Sequence, residues 1–225
     1  MKTFVYGDSF SNHKWCNCSQ DQMWYAPLVQ GELVDRTREG ASTQEMFLLA
    51  VNDAVQTESS RFIMGTGQMY SRIMLYRDQL YADETVQGGT VTDCLQHFDT
   101  QRLDKDLHPG IFHHTLVWSQ YLSQVATTAS LLRTLNHNFL IAHMNADRQS
   151  HVNLRHPLVR PLLRHTAKIK EYVDHRNSCK SVCEQAGIQP HDYHQYSWSG
   201  HHGAKGQKHF GQHIYTITQE RELWN

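Results

Sequence analysis

Ser9 lies in Phe4-Val5-Tyr6-Gly7-Asp8-Ser9-Phe10-Ser11, where a short apolar run meets a turn. A serine hydroxyl there is a weak nucleophile by itself. A histidine within hydrogen-bond reach would take its proton as it attacks an ester carbonyl, then return the proton to the leaving alcohol. Histidine is abundant in this chain, with 17 copies, and many cluster over 191–213. Asp8 is good turn chemistry and is expected to order the turn rather than to join the reaction. Metal binding is the rival chemistry. Cys16-x-Cys18 lies near His13, Cys179-x-x-x-Cys183 lies on an expected helix, and His209 and His213 are four residues apart. Four such ligands would make a tetrahedral zinc site. Neither cysteine pair has the two-residue gap of a zinc knuckle, so inert thiols and a polar helix face are the simpler readings, and no metal or other cofactor is expected. Trp15, Trp24, Tyr25, Trp118 and Trp198 could stack on a sugar ring, although aromatic side chains more often pack a core.

The elements that must position these residues alternate along the chain. Residues 2–6 read as a strand broken by Gly7-Asp8, and residues 20–31 look helical. A second strand begins near Leu33-Val34 and ends near Arg38-Glu39-Gly40. Ser42-Thr43-Gln44-Glu45 is a capping box, after which Met46, Leu49, Ala50 and Ala54 share a helical face. Phe62-Ile63-Met64, closed by Gly65, fits a buried parallel strand. Residues 68–110, framed by Gly88-Gly89 and Pro109-Gly110, read as an insertion or lid. A helix is expected from about His114 to Leu135, a strand at Phe139-Leu140-Ile141-Ala142, a mostly helical stretch over 158–186 interrupted by Pro161, and a last helix from Gly206 to about Ile217. This order predicts one α/β domain over 1–225, a three-layer α/β/α sandwich around a central parallel sheet. Ligands of such sheets bind beyond the carboxyl ends of the strands, which points to Gly7-Asp8-Ser9, Gly40 and Gly65–Gln68.

The Gly-Asp-Ser turn at the end of the first strand, almost at the N-terminus, resembles the opening block of the GDSL/SGNH hydrolases. The resemblance runs through nearly the whole chain. It implies a flavodoxin-like hydrolase fold, Ser9 as nucleophile, and the Ser9 amide as one oxyanion donor. Gly40, before the capped helix, resembles the glycine of the second block, whose amide would also face the oxyanion. The third block normally reads Gly-x-Asn-Asp. Here it reads Gly65-Thr66-Gly67-Gln68, so Gly67 stands at the asparagine position, and Gln68 or Thr66 would have to replace the missing donor. The fourth block normally reads Asp-x-x-His before the last helix. Aligning Ala204-Lys205-Gly206 puts His201 at the base, with His202 as the alternative, and Trp198 at the carboxylate position. Trp198, beside the base, becomes the best candidate for a substrate wall.

The implied activity is a serine esterase or deacetylase acting on an O-acyl group of a small molecule or glycan. The two degenerate blocks motivate a second reading, a binding or structural protein on the same fold. Tyr-Gly-Asp-Ser-Phe-Ser also resembles, more loosely, SGNH-like proteins of tailed bacteriophages, which leaves assembly into a virion, or a homo-oligomer, open. Composition sets the remaining bounds. Net charge is −1, from 21 basic and 22 acidic residues, with no basic motif beyond the Arg155–Lys170 stretch, so nucleic acid is not an expected partner. No run of about 18 apolar residues is present, so no membrane partner is expected. Five cysteines and a start lacking an apolar leader point away from a disulfide framework and toward the cytoplasm, or a host cytoplasm or virion for a viral protein.

Overall fold

A computed structural model describes residues 1–38, 41, 43–66, 72–76, 95–99, 114–144, 154–191 and 200–224. Strands β1 (Lys2–Gly7), β2 (Glu32–Thr37), β3 (Arg61–Thr66), β6 (Asn138–His143) and β7 (Tyr172–Val173) form one sheet in the order β2-β1-β3-β6-β7. All its pairings are parallel. Two further strands, β4 (Arg72–Tyr76) and β5 (Leu95–Asp99), pair antiparallel within the expected insertion. The helices are α1 (Thr43–Gln56), α2 (His114–Thr134), α3 (Val159–Thr166), α4 (Cys179–Gln185) and α5 (Ala204–Glu220). None of the described helices is long and apolar enough to cross a membrane.

The layers follow from side-chain alternation in strands buried on both faces. Phe4, Tyr6, Phe62, Met64, Phe139 and Ile141 point to one face, where they meet α1, α2 and Val159 of α3. Val5, Ile63, Leu140, Ala142 and Val173 point to the other, against Met23, Trp24, α4 and α5. The three-layer α/β/α sandwich is therefore the architecture of this chain. Edge strand β2 is only partly covered, as its more polar sequence requires.

The chain turns from β1 to β2 on one side, and β3 then returns to the other side of β1. The carboxyl ends of β1 and β3 thus flank the crevice that such a reversal opens. Gly7 pairs with Gly65, and Gly65 with Ala142, so the sheet presents its smallest residues at this edge.

Several sequence expectations need correction. Residues 20–31 are not an α-helix. They form two 3-10 turns, Gln20–Gln22 and Ala26–Leu28, separated by an extended Met23. Pro27 lacks an amide proton, and Met23, Trp24, Tyr25 and Leu28 are all buried, so tertiary packing shapes the segment. Pro161 does not interrupt a helix. It sits in the first turn of α3, where the missing N–H is harmless. The stretch over 158–186 also holds β7, whose two residues are too short for a periodic signal. Ser42 of the capping box lies outside the described residues, and the Glu45 carboxylate meets the Arg38 guanidinium at 2.7 Å.

Candidate active site

Ser9 opens a 3-10 turn, Ser9–Ser11, directly beyond β1. Asp8 makes this turn: its carboxylate accepts from the Phe10 amide at 3.0 Å, and its carbonyl accepts from the Ser11 amide at 3.0 Å. That is the N-cap role expected of an Asp before a tight turn. Ser9 is left half-buried, while Ser11 turns inward and its Oγ accepts from Trp24 Nε1 at 3.2 Å. Asn12 closes the turn against the end of β2, donating to Thr37 Oγ1 at 3.2 Å.

The turn can fold back across the sheet only because two glycines make room. A Cβ on Gly7 would collide with the Ser11 side chain. A Cβ on Gly65 would strike Ser11 Oγ and lie 3.0 Å from the Trp24 ring and 3.2 Å from Met144. Gly65 therefore has a packing reason to be glycine. Thr66, next along β3, is fully buried. Its hydroxyl is 3.1 Å from Tyr121 Oη and donates to the Ala142 carbonyl at 3.3 Å. The structure thus commits Thr66 to the core rather than to an oxyanion.

His201 and His202 are both buried, yet their rings go to different places. The His201 ring packs on Phe10, with centroids 4.8 Å apart, and lies 5.8 Å from the Trp15 ring and 6.4 Å from the His191 ring. Its carbonyl accepts from the His191 amide at 2.9 Å. His201 is thus seated on the residue that follows Ser9. The His202 ring packs beside Gly206, in the first turn of α5, and the Gly206 carbonyl accepts from the Cys183 thiol of α4 at 3.6 Å. Pairing with the Cys179 thiol, with His202 beside it, pulls the Cys183 thiol down against the upward push of burial. The same pairing, with burial, pushes Cys179 up.

Sequence reasoning gave no role to Gln207, and it placed Trp15 only among the aromatics that could stack on a sugar and Cys16 only among candidate metal ligands or inert thiols. Gln207 is almost fully buried, and its Nε2 lies 3.2 Å from the Phe10 carbonyl, 3.2 Å from the His202 carbonyl and 3.1 Å from Cys16 Sγ. A signal for it was present: Gln207, Phe210, Gly211 and Ile214 fall on one helical stripe, and a carboxamide inside an apolar stripe must find partners. Cys16 donates to the Phe10 carbonyl at 3.3 Å, and Cys18 contacts Met23 Sδ at 3.3 Å. Among the described residues, no group of three or more His, Cys, Asp or Glu side chains is arranged to hold a metal ion. Gly40, Gly67, Gln68 and Trp198 lie outside the described residues.

No protein-family model matches the sequence, and no curated protein resembles it in sequence. Solved structures do resemble it in fold. The crystal structure of TesA aligns over 98% of this chain and 99% of its own, with 10% identity and a TM-score of 0.52. A protein assigned to the lipolytic G-D-S-L family of Desulfitobacterium hafniense DCB-2 aligns over 96% and 98%, with 12% identity and a TM-score of 0.51. The psychrotrophic esterase EstA of Pseudoalteromonas sp., solved with monoethylphosphonate as inhibitor, aligns over 97% of both chains, with 9% identity and a TM-score of 0.50. At such identities the likeness speaks for the fold, and the fold is that of the G-D-S-L proteins.

Proposed function

We propose that this protein is a serine ester hydrolase in which Ser9 attacks an O-acyl carbonyl and His201 is the base. The observation that carries the reading is the seating of the His201 ring on Phe10, the residue after Ser9, at the crevice where β1 and β3 end. The His202 ring lies against Gly206 in the first turn of α5 instead, which favours His201 of the two. Ser9 Oγ would give its proton to the imidazole as it forms the bond to the carbonyl carbon. The protonated imidazole would then return that proton to the leaving alcohol, leaving an acyl-serine. Water, deprotonated by the same imidazole, would release the acid. The Ser9 amide, with Gly40 and the Gly67-Gln68 segment, would hold the oxyanion. An acylated small molecule or glycan is the substrate class, with Trp15 and Trp198 as aromatic walls for the alcohol half.

Two sequence features favour a second reading, a binding or assembly protein on this fold: glycine at Gly67 and tryptophan at Trp198, where donor and carboxylate would stand. One experiment separates the two. Hydrolysis of p-nitrophenyl acetate and labelling by a fluorophosphonate are measured for the native chain, Ser9→Ala, His201→Ala and His202→Ala. The esterase reading expects native turnover above background, loss of about 1000-fold or more in the first two variants, and a folded, active His202→Ala. Background rates and no labelling in all four proteins would sink it and favour the binding role.

A further inference from the structure

Gln207 stands outside the proposed chemistry, yet it touches both segments that carry it. Its side chain is 1% exposed, on the buried stripe of α5. A carboxamide offers two N–H donors and one carbonyl acceptor, and burial without partners would be costly. Here Oε1 accepts from the Trp24 amide at 3.3 Å. Nε2 faces three acceptors: the Phe10 carbonyl, the His202 carbonyl and Cys16 Sγ, at 3.1–3.2 Å. The opposite rotamer of the amide would set its oxygen against two carbonyl oxygens, so this orientation follows from the network.

The two carbonyls have matching positions. Phe10 is the residue after Ser9, and His202 is the residue after His201. One carboxamide therefore ties the backbone immediately beyond the proposed nucleophile to the backbone immediately beyond the proposed base. Cys16 strengthens the same joint by donating its thiol to the Phe10 carbonyl at 3.3 Å. Trp24, which anchors Oε1, also holds Ser11 of the nucleophile turn through its indole N–H. The joint matters because Trp198 stands where an aspartate would otherwise orient the base in this fold family's pattern. Catalysis between two loops depends on their separation, and a displacement of about 1 Å can cost about 100-fold in rate.

We propose that Gln207 is a positioning residue, a carboxamide clamp that sets the distance between the Ser9 turn and the His201 loop. The assignment rests on the reading of Ser9 and His201 as the reacting pair. Gln207 touches no reacting atom, so its loss should lower kcat and leave KM nearly unchanged.

The test compares Gln207→Met, which keeps the volume without the donors, with Gln207→Glu, which keeps an acceptor for Trp24 but turns an oxygen toward the two carbonyls. In folded protein, Gln207→Met should lose about 10- to 100-fold in kcat, with KM within about twofold. Gln207→Glu should be impaired most at neutral pH and recover partly in mild acid, where the introduced carboxyl gains a proton and can donate again. Native kcat and an unaltered pH profile in both variants would overturn the clamp.

A second readout needs no turnover. The Phe10 ring, 4.8 Å from the His201 ring, should shift the His201 ring protons in the NMR spectrum. The clamp expects that ring-current shift to collapse in Gln207→Met while shifts from the Phe4–Phe62 stack persist. Unchanged His201 shifts would overturn it even in a catalytically silent protein. Conversely, a collapsed shift with no turnover in the native chain would keep the clamp and remove the esterase reading. Should Gln207→Met fail to fold, Gln207→Asn, an amide one methylene short, carries the same readouts.

Discussion

The two faces of the central sheet are built from different materials. On the face covered by α1 and α2, Phe4, Tyr6 and Phe62 stack nearly parallel, with Phe4 and Phe62 centroids 5.1 Å apart, inside a large apolar cluster. Polar groups join it at isolated points: Tyr6 Oη donates to Asp53 at 2.7 Å, the His137 ring lies 4.9 Å from Phe62 and donates to the Ala54 carbonyl at 3.0 Å, and Thr66 Oγ1 lies 3.1 Å from Tyr121 Oη. On the face covered by α4 and α5, the buried set includes Ser11, Cys16, Cys179, Cys183, His202 and Gln207, each tied to a specific partner. Apolar packing tolerates exchange of shape for shape, whereas buried polar networks fail when one member is lost. The first face therefore holds the fold together, and the second also places the chemistry. Its bonds converge on the Ser9 turn and the loop before α5.

That contrast breaks most readily at Phe62. Phe62→Ala should destabilise the protein by about 3–5 kcal/mol in urea titration, with the activity of the remaining folded fraction unchanged. Equal losses of stability and specific activity would count against separate roles for the faces. Gly65→Ala sharpens the other side. The added Cβ meets Ser11, Trp24 and Met144, so about 1–3 kcal/mol of overpacking is expected, together with a drop in specific activity as the Ser9 turn shifts. Trp24→Phe keeps most of the volume but removes the donor to Ser11. A stability loss of about 1 kcal/mol should come with a fall in kcat larger than that stability loss explains. A smaller effect is expected on the first face from Tyr6→Phe, about 0.5–1.5 kcal/mol from the lost bond to Asp53, and no change in kcat.

The pH response is the gentlest probe of the comparison, because His213 lies on α5 of the second face while the His175 ring lies 6.1 Å from the Trp118 ring of the first. His175 is held below the usual histidine value of 6.5 by burial, against the opposing charge of Asp174. His213, 3.2 Å from Asn177 Oδ1, is lowered by burial and by His209. For both, the unfolded chain binds more protons than the folded one just below pH 6.5. Their contribution is complete above that value and is lost as pH falls toward the folded values. The melting temperature should therefore decline on acidification below about pH 6.5, and His213→Gln should flatten that slope while leaving the melting temperature at pH 8 nearly unchanged. An unaltered slope in His213→Gln would assign the acid sensitivity elsewhere.

Much of this architecture is legible in one sequence. Strands buried on both faces announce themselves as short apolar runs ended by glycine, as at Phe62–Gly65, and α1 and α2 carry apolar residues at helical spacing. The misread stretches are those in which local preference competes with packing. Residues 20–31 contain apolar side chains that α5 buries wholesale, so periodicity carries no information there. The β7 strand exists because a neighbouring strand supplies its hydrogen bonds, not because two residues prefer extension.

Residue types and order alone determined that a serine would sit on a tight turn beyond the first strand and that histidines would cluster before the last helix. Adjacent histidines are equivalent to sequence reasoning, because either can accept a proton. Only the tertiary structure parted them, sending the His201 ring to Phe10 and the His202 ring to Gly206. Gln207 shows the same limit. Its partners Phe10 and Trp24 lie 197 and 183 residues away along the chain, and such contacts form only when the two ends of the polypeptide meet across the sheet. Side-chain direction at a loop, and the company of a buried amide, are properties of packing, so they appear only once the whole chain has closed around them.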